Sequence, residues 1–239
     1  MVTQTQIADA LAAKAREVAY QGQLLNADVL LIDTLAAALY ARFPAVTGEA
    51  ALPAANMLTV QAALELVSHE AIVLEWYKDS SGVGTWGIGV TNASGHNVDR
   101  YKDKPQTVER VLEIFVWLLR TKYVPDVIHA FSGTLITVEQ FAAALSFHYN
   151  TGAILRTDWV SLFRAGKLSA ARTFLETHYL NGGVLTERRA AEAELFFDGV
   201  WSNDGTTTIW PVKKPSYTPD WSRGRKVAIR TEMEKALAV

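Results

Sequence analysis

The sequence predicts an α+β protein dominated by helix, with one small β-hairpin. Three observations carry this reading. Apolar residues recur at helical spacing before Glu70 and again after Pro105. Between them, the stretch from Tyr77 to Tyr101 is cut by glycines and turn residues into short extended runs. No internal repeat or low-complexity tract interrupts this order.

The first 55 residues read as helical, with Ile32, Leu35, Ala36, Leu39 and Phe43 forming the cleaner apolar stripe. Pro44, Gly48 and Pro53 then break the pattern, and the alanine-rich run that follows reads as a connector. Three segments are expected: an N-terminal helical extension over 1–55, a main domain over 56–198, and a basic aromatic C-terminal extension over 199–239. Asn56 is the expected N-cap of a helix that runs to about Glu70. Tyr77 to Gly84 is turn chemistry, Thr85 to Val90 a short strand, and His96 to Tyr101 a returning strand. Glycines at Gly87 and Gly89 inside a strand imply close backbone approach by a neighbour or ligand.

From Pro105 the pattern is helical again. Val108, Val111, Leu112, Phe115 and Leu119 form a wide apolar stripe. Thr137 and Gln140 make a capping box that opens a helix to Tyr149. Asp158 caps a short helix closed by Gly166, and two more helices are expected from Leu168 to His178 and from Thr186 to Phe197.

Composition excludes several function classes. The 239-residue chain has a net charge of −2, which gives no general attraction to nucleic acid or anionic membrane. It has no cysteine, hence no disulfide framework, thiolate metal site or cysteine nucleophile. Its N-terminus lacks the basic and apolar regions of a secretory signal, and no apolar run is long enough to span a membrane. The histidines show no metal-ligand spacing, so neither metal nor other cofactor is expected.

The chemistry concentrates between His69 and Thr91. Glu70 ends a helix, Asp79 lies in a glycine-rich turn nine residues on, and Thr85 begins a strand six residues later. Two carboxylates and a hydroxyl thus meet where helix and hairpin join. Spacing alone is weak, since an aspartate in a turn commonly binds only the turn's own amides.

This segment resembles the catalytic motif of the phage-type lysozymes, glycoside hydrolase family 24. That motif is Glu, eight residues, Asp, five residues, Thr, matched here by Glu70, Asp79 and Thr85. Tyr77-Lys78-Asp79 and Thr85-Trp86-Gly87-Ile88-Gly89 are similar to its flanks. Gln140-Phe141 through Gly152 resembles the family's central helix and turn, and Leu185 through Glu192 its last conserved helix. The resemblance covers about Asn56 to Asp198 and implies a lysozyme-like fold.

It also implies roles. Glu70 would be the general acid, and Asp79 with Thr85 would position the attacking water, with inversion at the anomeric carbon. The neighbouring Ile72 and Trp76 are expected to desolvate Glu70, which favours the protonated form an acid requires. Arg188 would pair with Glu70 and orient it, whereas Arg189 reads as an exposed helix residue. Asn150 matches a cleft-lining polar residue, and Trp86 and Gly87 are expected to bind substrate or support the site. Two positions depart from the family: Val90 stands where a histidine is usual, and Ala71 where a glycine is.

The resemblance implies a muramidase that cleaves peptidoglycan glycan strands at the β-1,4 bond between N-acetylmuramic acid and N-acetylglucosamine. As a phage endolysin it would act as a monomer. It would stay in the host cytoplasm until a holin gives it access to the periplasm and wall at lysis, without stable membrane insertion and without nucleic acid. Two other readings share the motifs: a lytic transglycosylase, which needs only the acid, and a wall-binding or virion structural protein without activity. The C-terminal extension is also open at this level. Gly199 to Val239 holds seven Lys and Arg against four Asp and Glu, with Trp201, Trp210, Tyr217 and Trp221 among prolines. It reads either as packing on the main body or as a surface that grips a polymer.

Overall fold

The structure is a computed structural model that describes residues 57–238. The helices expected within 1–55 and the N-cap expected at Asn56 lie outside the described residues. Helix α1, Val60–Ser68, starts instead at Thr59, whose extended backbone lets its hydroxyl accept from Ala62 N at 3.1 Å. Its residues Ala62 to Val67 are all buried, so α1 runs through the protein rather than along its surface.

A three-stranded antiparallel sheet follows: β1 Val73–Lys78, β2 Gly84–Gly87 and β3 Val90–Thr91, in the order β1-β2-β3. A bulge between Val73 and Tyr77 breaks the register with β2. The returning strand expected at His96–Tyr101 does not form; short 3-10 turns occupy Asn92–Ser94 and Asp99–Tyr101. Side-chain stacking explains the difference. Tyr101 stacks on Trp86 at 4.1 Å between ring centroids, and His96 Nε2 meets the Tyr101 hydroxyl at 2.8 Å. The segment therefore folds over the Trp86 ring instead of pairing with the strand edge.

The remaining helices of the body are α2 Val108–Leu118, α3 Val124–Ala130, α4 Val138–Thr151, α5 Asp158–Arg164, α6 Leu168–Thr177 and α7 Thr186–Asp198. A π-turn, Leu119–Tyr123, joins α2 to α3. The Thr137–Gln140 capping box forms as expected, and Phe141 to His148 of α4 are all buried. Helix α4 is thus the axis of the core, with α1 and α7 packed along it. Trp159 is fully buried beside Phe147 and Phe196, with centroid distances of 5.6 and 5.0 Å.

Residues after Asp198 form strands as well as packing on the body. Strand β4, Thr206–Ile209, pairs antiparallel with β7, Arg225–Ala228. Between them β5, Val212–Lys213, pairs with β6, Thr218–Pro219, and helix α8, Arg230–Ala238, follows. Met233 and Ala236 bury α8 against α1 and α2. Two attachments tie the strands to the segment between Glu70 and Asp79. Ile72 pairs with β4 through Ile72 N to Thr208 O, 3.3 Å, and Trp210 N to Ile72 O, 2.8 Å. Lys78 N donates to Tyr217 O at 2.6 Å, and the Tyr217 ring meets the Trp76 edge at 5.5 Å. These contacts show that the C-terminal segment packs on the body.

Candidate active site

Glu70 lies one residue beyond the C-cap of α1 and two before Ile72 enters its bridge with β4. Its backbone N–H donates to Val67 O at 3.0 Å. The residue is therefore fixed from both sides. Its side chain keeps 20% exposure and accepts from Arg188 Nη1 at 2.7 Å. Arg188 therefore stands where the resemblance implies, within ion-pair distance of Glu70.

Arg188 is nearly buried and has several partners. Nε donates to Glu192 Oε1 at 3.1 Å, Nη2 to Ser146 O at 3.1 Å, and Nη1 also approaches His69 O at 3.4 Å. Burial opposes its charge, and the carboxylates of Glu70 and Glu192 overcome that opposition and raise its pKa. Ser146 Oγ donates to the same Glu192 oxygen at 2.7 Å, so Glu192, itself buried, anchors the arginine that holds Glu70.

Arg189 corrects the sequence reading. It is fully buried, not exposed, and Nη2 donates to Glu192 Oε1 at 3.0 Å and to Asn150 Oδ1 at 3.1 Å. Its guanidinium also stands 5.1 Å from the centroid of Phe147. A helix that buries two adjacent arginines has no ordinary amphipathic signature, which is why α7 misleads. Asn150 is exposed at the end of α4 and ties down Arg189.

The turn Asp79–Gly82 divides the two oxygens of Asp79. Oδ1 accepts from Ser81 N and Val83 N at 2.8 and 2.9 Å. Oδ2 faces the buried Thr85, whose Oγ1 is 3.5 Å away and also lies 3.1 Å from Val83 O. The amide-binding role and a free oxygen beside a hydroxyl coexist in one side chain.

Tyr77 reports on both carboxylates. Burial, then the negative charges of Glu70 and Asp79, push its phenol far above the usual range. Tyr149 and Tyr123 are raised as well, first by burial and next by Glu70. The Glu70 charge thus acts on three tyrosines, and the sequence reading assigned a role to none of them. The Tyr149 hydroxyl donates to the Ile88 carbonyl, linking α4 to the hairpin beside Gly89. The central-helix motif contains Tyr149, so this one was open to notice; Tyr123 lies in the π-turn and carries no motif.

Trp86 and Gly87 support the hairpin and do not face solvent. Trp86 is fully buried and its Nε1 donates to Leu74 O at 3.0 Å. Gly87 has φ +66, and a Cβ there would come 3.3 Å from Val111 Cγ1 on α2. The close approach inferred from the strand glycines is made there by a core side chain.

No curated relative matches the chain by sequence. Solved structures to which it is similar include an endolysin from Escherichia coli O157:H7 phage FAHEc1, at 21% identity and TM-score 0.48, covering 61% of this chain and 96% of that one. A mutant P22 lysozyme is similar at 22% identity and TM-score 0.48, covering 58% and 96%. The muramidase domain of SpmX from Asticaccaulis excentricus is similar at 24% identity and TM-score 0.43, covering 57% and 95%. A family model, Phage lysozyme, matches residues 67–192. That match takes in more than half of the chain, from the end of α1 through Glu192, and the chain accordingly belongs to the phage lysozyme family and is a lysozyme-type hydrolase.

Proposed function

We propose that the chain is an inverting muramidase that hydrolyses the β-1,4 bond between N-acetylmuramic acid and N-acetylglucosamine in peptidoglycan. The observation that carries this is the division of Asp79: Oδ1 is held by two backbone amides while Oδ2 is directed at Thr85. A carboxylate fixed through one oxygen can present the other to a water without losing its orientation.

Glu70 gives its proton to the glycosidic oxygen as the bond to the anomeric carbon breaks. Arg188 aims the Glu70 carboxyl and is a positioning residue. Water held by Asp79 Oδ2 and Thr85 Oγ1 attacks the anomeric carbon from the opposite face, and Asp79 takes its proton. The sugar gains hydroxyl and the leaving alcohol gains hydrogen, so one water is consumed. Inversion requires about 6.5–9.5 Å between the two carboxyl groups, which leaves room for that water.

A transglycosylase would dispense with a held water, so the Asp79–Thr85 pair favours hydrolysis. An endolysin role follows from family membership; among the described residues no helix is long and apolar enough to cross a membrane, and a holin would supply access to the wall. The test is clearing of outer-membrane-stripped Gram-negative cells by the wild type and by Glu70→Gln, which keeps the shape and removes the transferable proton. The variant should be slower by about 10²–10⁴-fold. Equal clearing by both proteins removes Glu70 from the acid role.

A further inference from the structure

A polar groove of about 460 Å³ opens beside Glu70 and runs onto the C-terminal strands, outside the family match. Asn203, Thr206, Thr208, Trp210 and Lys226 line it beyond Glu70. Its geometry is set by the strand period. Thr207 and Ile209 of β4 are buried, whereas Thr206 and Thr208 are half-exposed, and Trp210 continues that outer row. From Thr206 to Trp210 the row extends about 13 Å at the usual strand rise.

The groove is built into the catalytic frame. Glu65 on α1 is almost fully buried, and its carboxylate accepts from Ser202 N at 3.2 Å, Ser202 Oγ at 2.5 Å and Asn203 N at 3.0 Å. That clamp fixes the start of the groove, and the bridge between Ile72 and β4 fixes its far end two residues from Glu70. Trp210 is held in turn by a T-shaped contact with Trp221, 5.2 Å between centroids, and by Gly224, where a Cβ would fall 2.5 Å from Trp210 Cζ3. Asp204 also lines the groove and accepts from Thr206 Oγ1 at 2.6 Å and Lys226 Nζ at 3.3 Å. An indole at the end of a row of hydroxyls, an amide and this ion pair suits a sugar: the ring's C–H face stacks on the indole and its hydroxyls meet the polar groups.

We propose that this groove is a further glycan subsite, which takes N-acetylhexosamine rings of the peptidoglycan strand beyond those at the catalytic carboxylates, with Trp210 as the stacking platform. The proposal rests on the muramidase reading for the identity of the polymer. The full chain carrying Glu70→Gln is titrated calorimetrically with peptide-free peptidoglycan glycans, a disaccharide and an octasaccharide. Trp210→Ala in that background should weaken octasaccharide binding about three- to tenfold and leave disaccharide binding unchanged. Trp210→Tyr should retain most of the affinity. Thr206→Arg fills the groove from a half-exposed position without entering the core, and should also weaken only the octasaccharide; it decides the question if Trp210→Ala does not fold. Unchanged octasaccharide binding in the folded variants overturns the subsite, as does an equal loss for both glycans. Hydrolysis by the wild type is scored separately. Length-dependent binding that needs Trp210 without hydrolysis would sink the muramidase reading and leave the subsite standing; hydrolysis without the length effect would do the reverse.

Discussion

Replacing Arg188 with methionine separates its two duties, one in the core and one at the site. The side chain is 8% exposed and joins Glu70, Glu192 and Ser146. Removing one member of a buried ion pair typically costs about 3–5 kcal/mol, because the other charge loses its compensation. Glu192 retains Arg189 at 3.0 Å and Ser146 at 2.7 Å, so the lower end applies, about 3 kcal/mol. For a chain of this size that lowers Tm by about 6–12 °C. The second effect is kinetic. Glu70 loses its 2.7 Å donor, and a reacting group misplaced by about 1 Å costs on the order of 10²-fold in rate. Thermal melts and initial rates on peptidoglycan, taken well below the variant's Tm, measure the two separately. A variant that melts early yet keeps its kcat would refute the positioning role and leave Arg188 as a core ion pair only.

Other outcomes follow from the same geometry. Asp79→Asn keeps the turn acceptor for Ser81 and Val83 but cannot take a proton, so kcat should fall about 10²–10⁴-fold with little change in melting. Tyr149→Phe leaves the Ile88 carbonyl without its donor and should cost about 1–3 kcal/mol in a denaturant titration. At Glu65, burial works against the charge, but hydrogen bonds from His69, Ser202 and Asn203 outweigh it and hold the carboxyl below its ordinary 4.5. The native state then binds a proton less readily than the unfolded chain. The stabilisation is complete above about pH 4.5 and is lost as pH falls through the lower native value. Unfolding measured from pH 6 to pH 3 should therefore show a steeper acid loss in the wild type than in Glu65→Gln, and equal slopes would contradict the clamp.

The candidate catalytic segment was legible because its spacing is local: Glu70, Asp79 and Thr85 span sixteen residues and need only one helix end and one turn. Helices with clear periodicity and caps, such as Val138–Thr151, were legible for the same reason. What escaped depends on distant partners. Strand β1 is hidden by its bulge, which puts Trp76 and Tyr77 together in the core and breaks the alternation. The strands after Asp198 are two to four residues long and gain their order from β1 and Ile72 rather than from their own pattern. Arg189 could not be placed because its burial is set by Glu192 and Asn150 together. Arg188 was reached through the family resemblance, since nothing in its local sequence distinguishes it from its neighbour.

In the proposed reaction a water held by Asp79 and Thr85 attacks while Glu70 protonates the leaving oxygen. It is tested most directly by the anomer of the first product, read by proton NMR within minutes of adding enzyme to soluble glycan strands, before mutarotation. A new reducing end should form in the α configuration from a β linkage, at a rate that Asp79→Asn suppresses. A β product would show retention, and an anhydro-muramyl end would show that no water attacks; either contradicts the account.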